Sequence, residues 1–203
     1  MTTSTPVATE KKPVVEKKPL PERIVQAARD VGHTGDHDAD AHDALLAGDD
    51  GPHHFAVLRA VLARAGVDAP KSLGEFVELA KKNGSFVLAT GKGAGTKPEA
   101  GDVVAVALGH QTLELSFVVC SISDAHLESY GGGETSIAGG RLAEHRSRQW
   151  EVVQPRDENG NPNGLAHIVD SVHHHITERR SSPRIVSGWV SMKKWPASAK
   201  AGS

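Results

Sequence analysis

PEAGDVVAVALGHQTLELSFVVCSISDAHLESY, residues 98–130, is where the chain changes its period. Up to this point apolar residues recur every three or four positions. From Asp102 they alternate or run continuously, as β-branched strands do. Asp102–Leu108, Leu113–Ile122 and Ala125–Tyr130 read as three strands, with turns at Gly109 and Asp124. Upstream the spacing predicts three helices. The first starts at Pro21, carries Ile24, Val25, Ala27, Ala28 and Val31 on one side, and is expected to end at Gly32. The second, HHFAVLRAVLARAGV (residues 53–67), has Phe55, Leu58, Val61, Leu62 and Ala65 in one stripe and Gly66 as its stop. Ser72 is the N-cap expected for the third, with Glu75 as capping-box partner and Leu73, Phe76, Val77, Leu79 and Ala80 on its apolar side.

Downstream, RQWEVVQ (148–154) reads as a fourth strand. DENGNPNG (157–164) reads as a turn, the next stretch through His175 as helical or mixed, and RIVSGWVSM (184–192) as a closing strand. Helices first and strands afterwards define an α+β domain, not a doubly wound parallel sheet. Residues 1–21 hold two EKKP repeats and four prolines with few apolar residues, so they are expected to form a disordered Lys/Pro tether. A single domain is expected over 22–196, with a variable insertion around 141–183, and a flexible tail over 197–203.

The composition excludes several classes. With 203 residues, 38% hydrophobic and 4% aromatic, the chain can bury one aliphatic core. Its 23 basic and 25 acidic residues leave no net positive field for nucleic acid. No run is long and apolar enough for a membrane span. The N-terminus lacks the apolar core of a secretory signal, so synthesis and retention in the cytoplasm are expected. One cysteine, Cys120, allows neither an internal disulfide nor a Cys-rich zinc module, whereas histidines number twelve.

Four motifs bear on possible chemistry. GKGAGTKPEAGD (91–102) is glycine-rich, but lacks the GK[ST] spacing of a phosphate loop and precedes a strand. The loop from His33 to Asp43 holds His33, His37 and His42 among aspartates, residue types able to bind zinc, yet no pairing within it fixes a tetrahedral geometry. His173, His174 and His175 are consecutive, so their side chains diverge on any regular element. Cys120 sits inside SFVVCSI, the setting of a small buried hydrophobe rather than of a thiolate nucleophile.

The series PERIVQAARDVG, HHFAVLRAVLARAGV, LGEFVELAKKNG, KPEAGDVVAV, LELSFVVCSI and YGGGET, in that order, resembles the papain-like peptidoglycan hydrolases of the CHAP and NlpC type over roughly residues 22–140. The resemblance implies a papain-like domain with N-terminal helices packed on a small antiparallel sheet. It also implies a catalytic Cys at the start of the second helix and a catalytic His opening the strand after the PGD-like one. PEAGDVVAV occupies that PGD strand, with Gly101 and Asp102 at its turn. The Cys position falls on His54, or His53 one register away, and the His position falls on or next to Glu114. Both catalytic identities have changed, and imidazole cannot form the acyl-enzyme that the family makes at sulfur.

The expected function is therefore a non-catalytic CHAP/NlpC-like module, a structural or cell-wall-binding component of a phage tail or related assembly, and so virion-associated. His53, His54, Glu114, His126 and Tyr130 are its candidate binding residues; peptidoglycan or other assembly subunits are its candidate partners. Two alternatives stay open. One is an active peptidoglycan amidase or peptidase in which His53, His54, Glu114, His126 or the His/Asp loop holds zinc around a bound water. The other is a scaffold subunit without ligand. No cofactor is expected apart from that zinc.

Overall fold

A computed structural model describes residues 18–37, 53–108, 112–123, 126–131, 144–172 and 184–196. Three helices come first: α1 (Leu20–His37), α2 (His53–Arg64) and α3 (Leu73–Lys82). Seven strands follow: β1 (Phe86–Leu88), β2 (Val103–Leu108), β3 (Thr112–Ser123), β4 (His126–Gly131), β5 (Glu144–Val153), β6 (His167–Val172) and β7 (Arg184–Val190). A short 3₁₀ turn, Gly91–Gly95, links β1 to the approach to β2. The α+β class is as the sequence implies. The expected tether lies outside the described residues up to position 17, but its last two residues, Leu20 and Pro21, belong to α1; the expected tail lies outside the described residues after Pro196.

The helix ends follow from local chemistry. α2 ends in a Schellman motif, with Val67 N–H bonded to the Leu62 carbonyl and Gly66 N–H to that of Ala63. Gly66 takes a φ of +79°, as that motif requires. Ser72 caps α3 by accepting from Glu75 N–H at 3.2 Å. The Glu75 carboxylate returns the bond one residue earlier than a standard capping box, to Lys71 N–H. Gly32 does not end α1. The helix runs on to His37, and Gly32 instead gives room to Tyr130, whose ring would lie 1.7 Å from any Cβ placed there.

All strand pairings are antiparallel, in the order β1-β7-β2-β3-β4-β5-β6, and β6 also pairs with β7. That last pairing, Ile168 opposite Val186 and Asp170 opposite Arg184, closes β2–β7 into a six-stranded barrel. β7 can serve β6 and β1 along one edge because β6 takes its first half and β1 its second, Phe86 opposite Val190. Residues 165–175, expected to be helical or mixed, contain strand β6 instead. The expected insertion at 141–183 supplies both β5 and β6 to the barrel.

Alternation along the strands builds two cores. In β2, Val103 and Ala105 face the helices, while Val104 and Val106 face the barrel interior. The helix-side core joins Ile24 and Val31 of α1, Leu58 and Val61 of α2, and Phe76 of α3, with Trp195 stacked on Phe76 at 5.0 Å. The barrel interior holds Phe117, Leu127, Ile168 and Val186, with Trp150 edge-on to Trp189 at 6.2 Å.

Candidate functional site

Two contacts fix how the helices lie on the sheet. Pro21, at the start of α1, touches Gly101 just before β2, and Gly32 touches the Tyr130 ring near the end of β4. α1 therefore crosses from the start of β2 over β3 and β4 toward β5. The C-terminal end of α2 is tied to α1: Arg23 Nη1 donates to the Ala65 carbonyl, and Arg64 Nε stands 3.8 Å from Asp30 Oδ2. α2 also packs on β3.

His53 and His54 open α2. Glu114 is the extra residue of a β-bulge, since Val106 is opposite Leu115 and Ala107 opposite Leu113. The side chains of His33, His37, His53, His54 and Glu114 are outside the description, and His42 lies outside the described residues altogether.

The other candidates are placed differently. Tyr130 is half-buried on α1, so its ring serves the helix–sheet contact. His126 is exposed and opposite Ser123, nine residues along β3 from Glu114. At about 3.3 Å per residue that is on the order of 25–30 Å, too far for His126 to share a ligand with Glu114. Cys120 is also a bulge residue, buried to 7% exposure, with Sγ 4.0 Å from the Val118 carbonyl. Burial pushes its thiol up to about 11, with Glu128 reinforcing the shift and Arg29 opposing it. A thiolate nucleophile at neutral pH is excluded there. Among the described residues no three His, Cys, Asp or Glu side chains are grouped to hold a metal, and no helix is long and apolar enough to cross a membrane.

Two polar centres escaped the sequence reading. Asp102 is 3% exposed and ties its own turn to two distant segments. Its Oδ1 accepts from Met192 N–H and its Oδ2 from Glu99 N–H, both at 2.9 Å, while its carbonyl accepts from Val119 N–H. Burial raises its pKa above the usual carboxylate value, and the two N–H bonds oppose that rise. A Gly-Asp pair entering an apolar strand was the available signal. Arg148 is buried inside the barrel, its guanidinium 3.9 Å above the Phe117 ring and its Nε donating to Ser129 Oγ at 2.6 Å. Its position two residues before Trp150, on the same strand face, was the signal there.

At the opposite end from His53 is a cavity of about 850 Å³, bounded by Leu20, Glu22, Val67, Glu99, Met192 and Trp195. It opens beside the point where residues 1–17 join the domain.

The class this geometry defines is an α+β domain in which three helices cover one flank of a closed antiparallel barrel. Compared with protein-family models, curated proteins and solved structures, the chain matches none.

Proposed function

We propose that this chain is a papain-like module of the CHAP/NlpC kind that binds without cleaving, serving as a structural or cell-wall-binding component of a phage tail or related assembly. The observation that carries the reading is the position of the only cysteine. Cys120 is sealed in β3 with a raised pKa, and a histidine, His54, stands in the first turn of α2, where the resembling hydrolases carry their thiol. Further support is the PEAGD turn that enters β2, held by Asp102. A glycan strand or stem peptide would lie along the start of α2.

The test is co-sedimentation of untagged protein with purified peptidoglycan, run beside a turbidity assay on intact walls. The expected outcome is pelleting without loss of turbidity, and at least threefold weaker pelleting for His54→Ala. Turbidity loss that disappears in His54→Ala would overturn the proposal in favour of a metal-assisted hydrolase.

A scaffold role is favoured by a different observation, the cavity beside the junction with the Lys/Pro segment. A protein that neither pellets with walls nor stays monomeric by size exclusion would support that reading.

A further inference from the structure

The cavity at the start of α1 is a built site, because four contacts fix its walls. Pro21 is seated against Gly101, where a Cβ would stand 2.6 Å from Pro21 Cα, so α1 begins directly over the turn that enters β2. Arg23 Nη1 donates to the Ala65 carbonyl and ties that start to the chain leaving α2. The Schellman turn at Gly66 then brings Val67 and Asp68 into the wall. Asp102 holds two further sides at once, Glu99 through Oδ2 and Met192 through Oδ1, both at 2.9 Å. A cavity fixed in this way is pre-formed, and a ligand entering it does not have to order it first. At about 850 Å³ it has room for a drug-sized molecule or a few amino-acid residues.

Its lining is divided. Leu20, Val67, Met192 and Trp195 are apolar, and the last three belong to the helix-side core. The polar walls carry three carboxylates, Glu22, Asp68 and Glu99, against two cations, Arg23 and Lys193. Both cations are engaged, Arg23 on the Ala65 carbonyl and Lys193 Nζ 3.6 Å from Glu99. The carboxylates of Glu22 and Asp68 have no partner among the described residues, and they come from different walls, α1 and the chain after α2. An apolar lining with two uncompensated carboxylates selects a ligand that is apolar in its middle and cationic at its flanks. We propose that this cavity docks a short extended segment of a partner protein in which apolar residues, proline included, are flanked by Lys or Arg. Trp195 and the prolines Pro19, Pro21 and Pro196 supply the rigid apolar surface on which such segments lie. The proposal rests on the scaffold reading, to which it gives a partner, and not on wall binding, since the start of α2 contributes no residue to these walls.

The experiment is titration of untagged full-length protein with the end-blocked peptide Lys-Val-Pro-Val-Lys, followed by fluorescence anisotropy of a labelled copy and by the indole N–H resonances of the three tryptophans. Saturable one-site binding with a Kd on the order of 10–100 µM is expected. Raising NaCl from about 50 to about 500 mM should weaken it roughly threefold or more. The Trp195 resonance should shift, whereas those of Trp150 and Trp189, inside the barrel, should not. Glu-Val-Pro-Val-Glu should bind about tenfold more weakly, and Glu22→Gln/Asp68→Asn should weaken binding of the basic peptide about fivefold with Tm and circular dichroism unchanged. Equal binding of the two peptides, an unchanged Kd in the double variant, or shifts that spare Trp195 would overturn the proposal. So would a Trp195 resonance that moves on dilution without peptide, which would put a second copy in the cavity. Self-association by size exclusion without peptide binding would overturn the docking site and leave the scaffold reading standing. Peptide binding at Trp195 by a strict monomer would support the docking site and remove only self-assembly.

Discussion

At Gly32 a single hydrogen atom decides whether α1 can lie on the sheet. Alanine there gains about 1 kcal/mol of helix propensity. It also drives a methyl into the Tyr130 ring, an overpacking that costs about 1–3 kcal/mol or more. The clash wins: Gly32→Ala should lower stability by about 1–2 kcal/mol in urea unfolding. In a Tyr130→Ala background the same change should be neutral or stabilising, so the double-mutant cycle isolates the contact. Cys120 offers a second test. With a folded pKa of about 11 against an ordinary 9.0, the native state keeps its proton where the unfolded chain releases it. Its contribution to stability is therefore complete below pH 9 and lost as pH rises through 11. At pH 8 the thiol should resist Ellman's reagent in native protein and react within seconds in denaturant. The burial of Cys120 was legible in SFVVCSI. The role of Gly32 was not, because a glycine after an apolar helix signals a cap and a close approach equally well, and Tyr130 is distant in sequence.

At the scale of elements, Asp102 locks the start of β2 to the chain leaving β7. Asp102→Ala strands two buried N–H donors, Glu99 and Met192, and should cost about 2–4 kcal/mol. Because the folded pKa is raised, the native state holds this proton more firmly than the unfolded chain does. The advantage of the aspartate is complete below the ordinary value of 3.8 and shrinks as pH rises through the folded pKa, so the gap between parent and variant should be larger at pH 3.5 than at pH 7. The helices and β2–β4 were legible because their apolar residues keep one period over several turns. β6 was not: HIVDSV is short, carries an aspartate among its apolar residues and runs into three histidines in the sequence. Its strand character comes from β5 and β7 on either side, which no local window contains. The capping of α3 by Ser72 was readable, since a cap is a local bond.

For the molecule as a whole, the cavity beside the N-terminal junction brings together the start of α1, the chain leaving α2 and the chain leaving β7, with Glu22, Arg23, Asp68, Glu99 and Lys193 among its walls. Histidine abundance was plain in the composition, but composition carries no position. Barrel closure was hidden, because β2 pairs with a strand roughly eighty residues later, a separation that no periodicity spans. That same closure sets an order of events on the ribosome. The helices and the first strands emerge early, yet β1, β2 and β6 all wait for β7, the last of the described strands. Until about Met192 clears the exit tunnel, the nascent chain holds Phe117, Leu127 and Trp150 on an open, unpaired sheet. Chaperone demand should therefore persist until β7 has emerged, and a premature stop anywhere before β7 would leave a strand edge exposed to other chains.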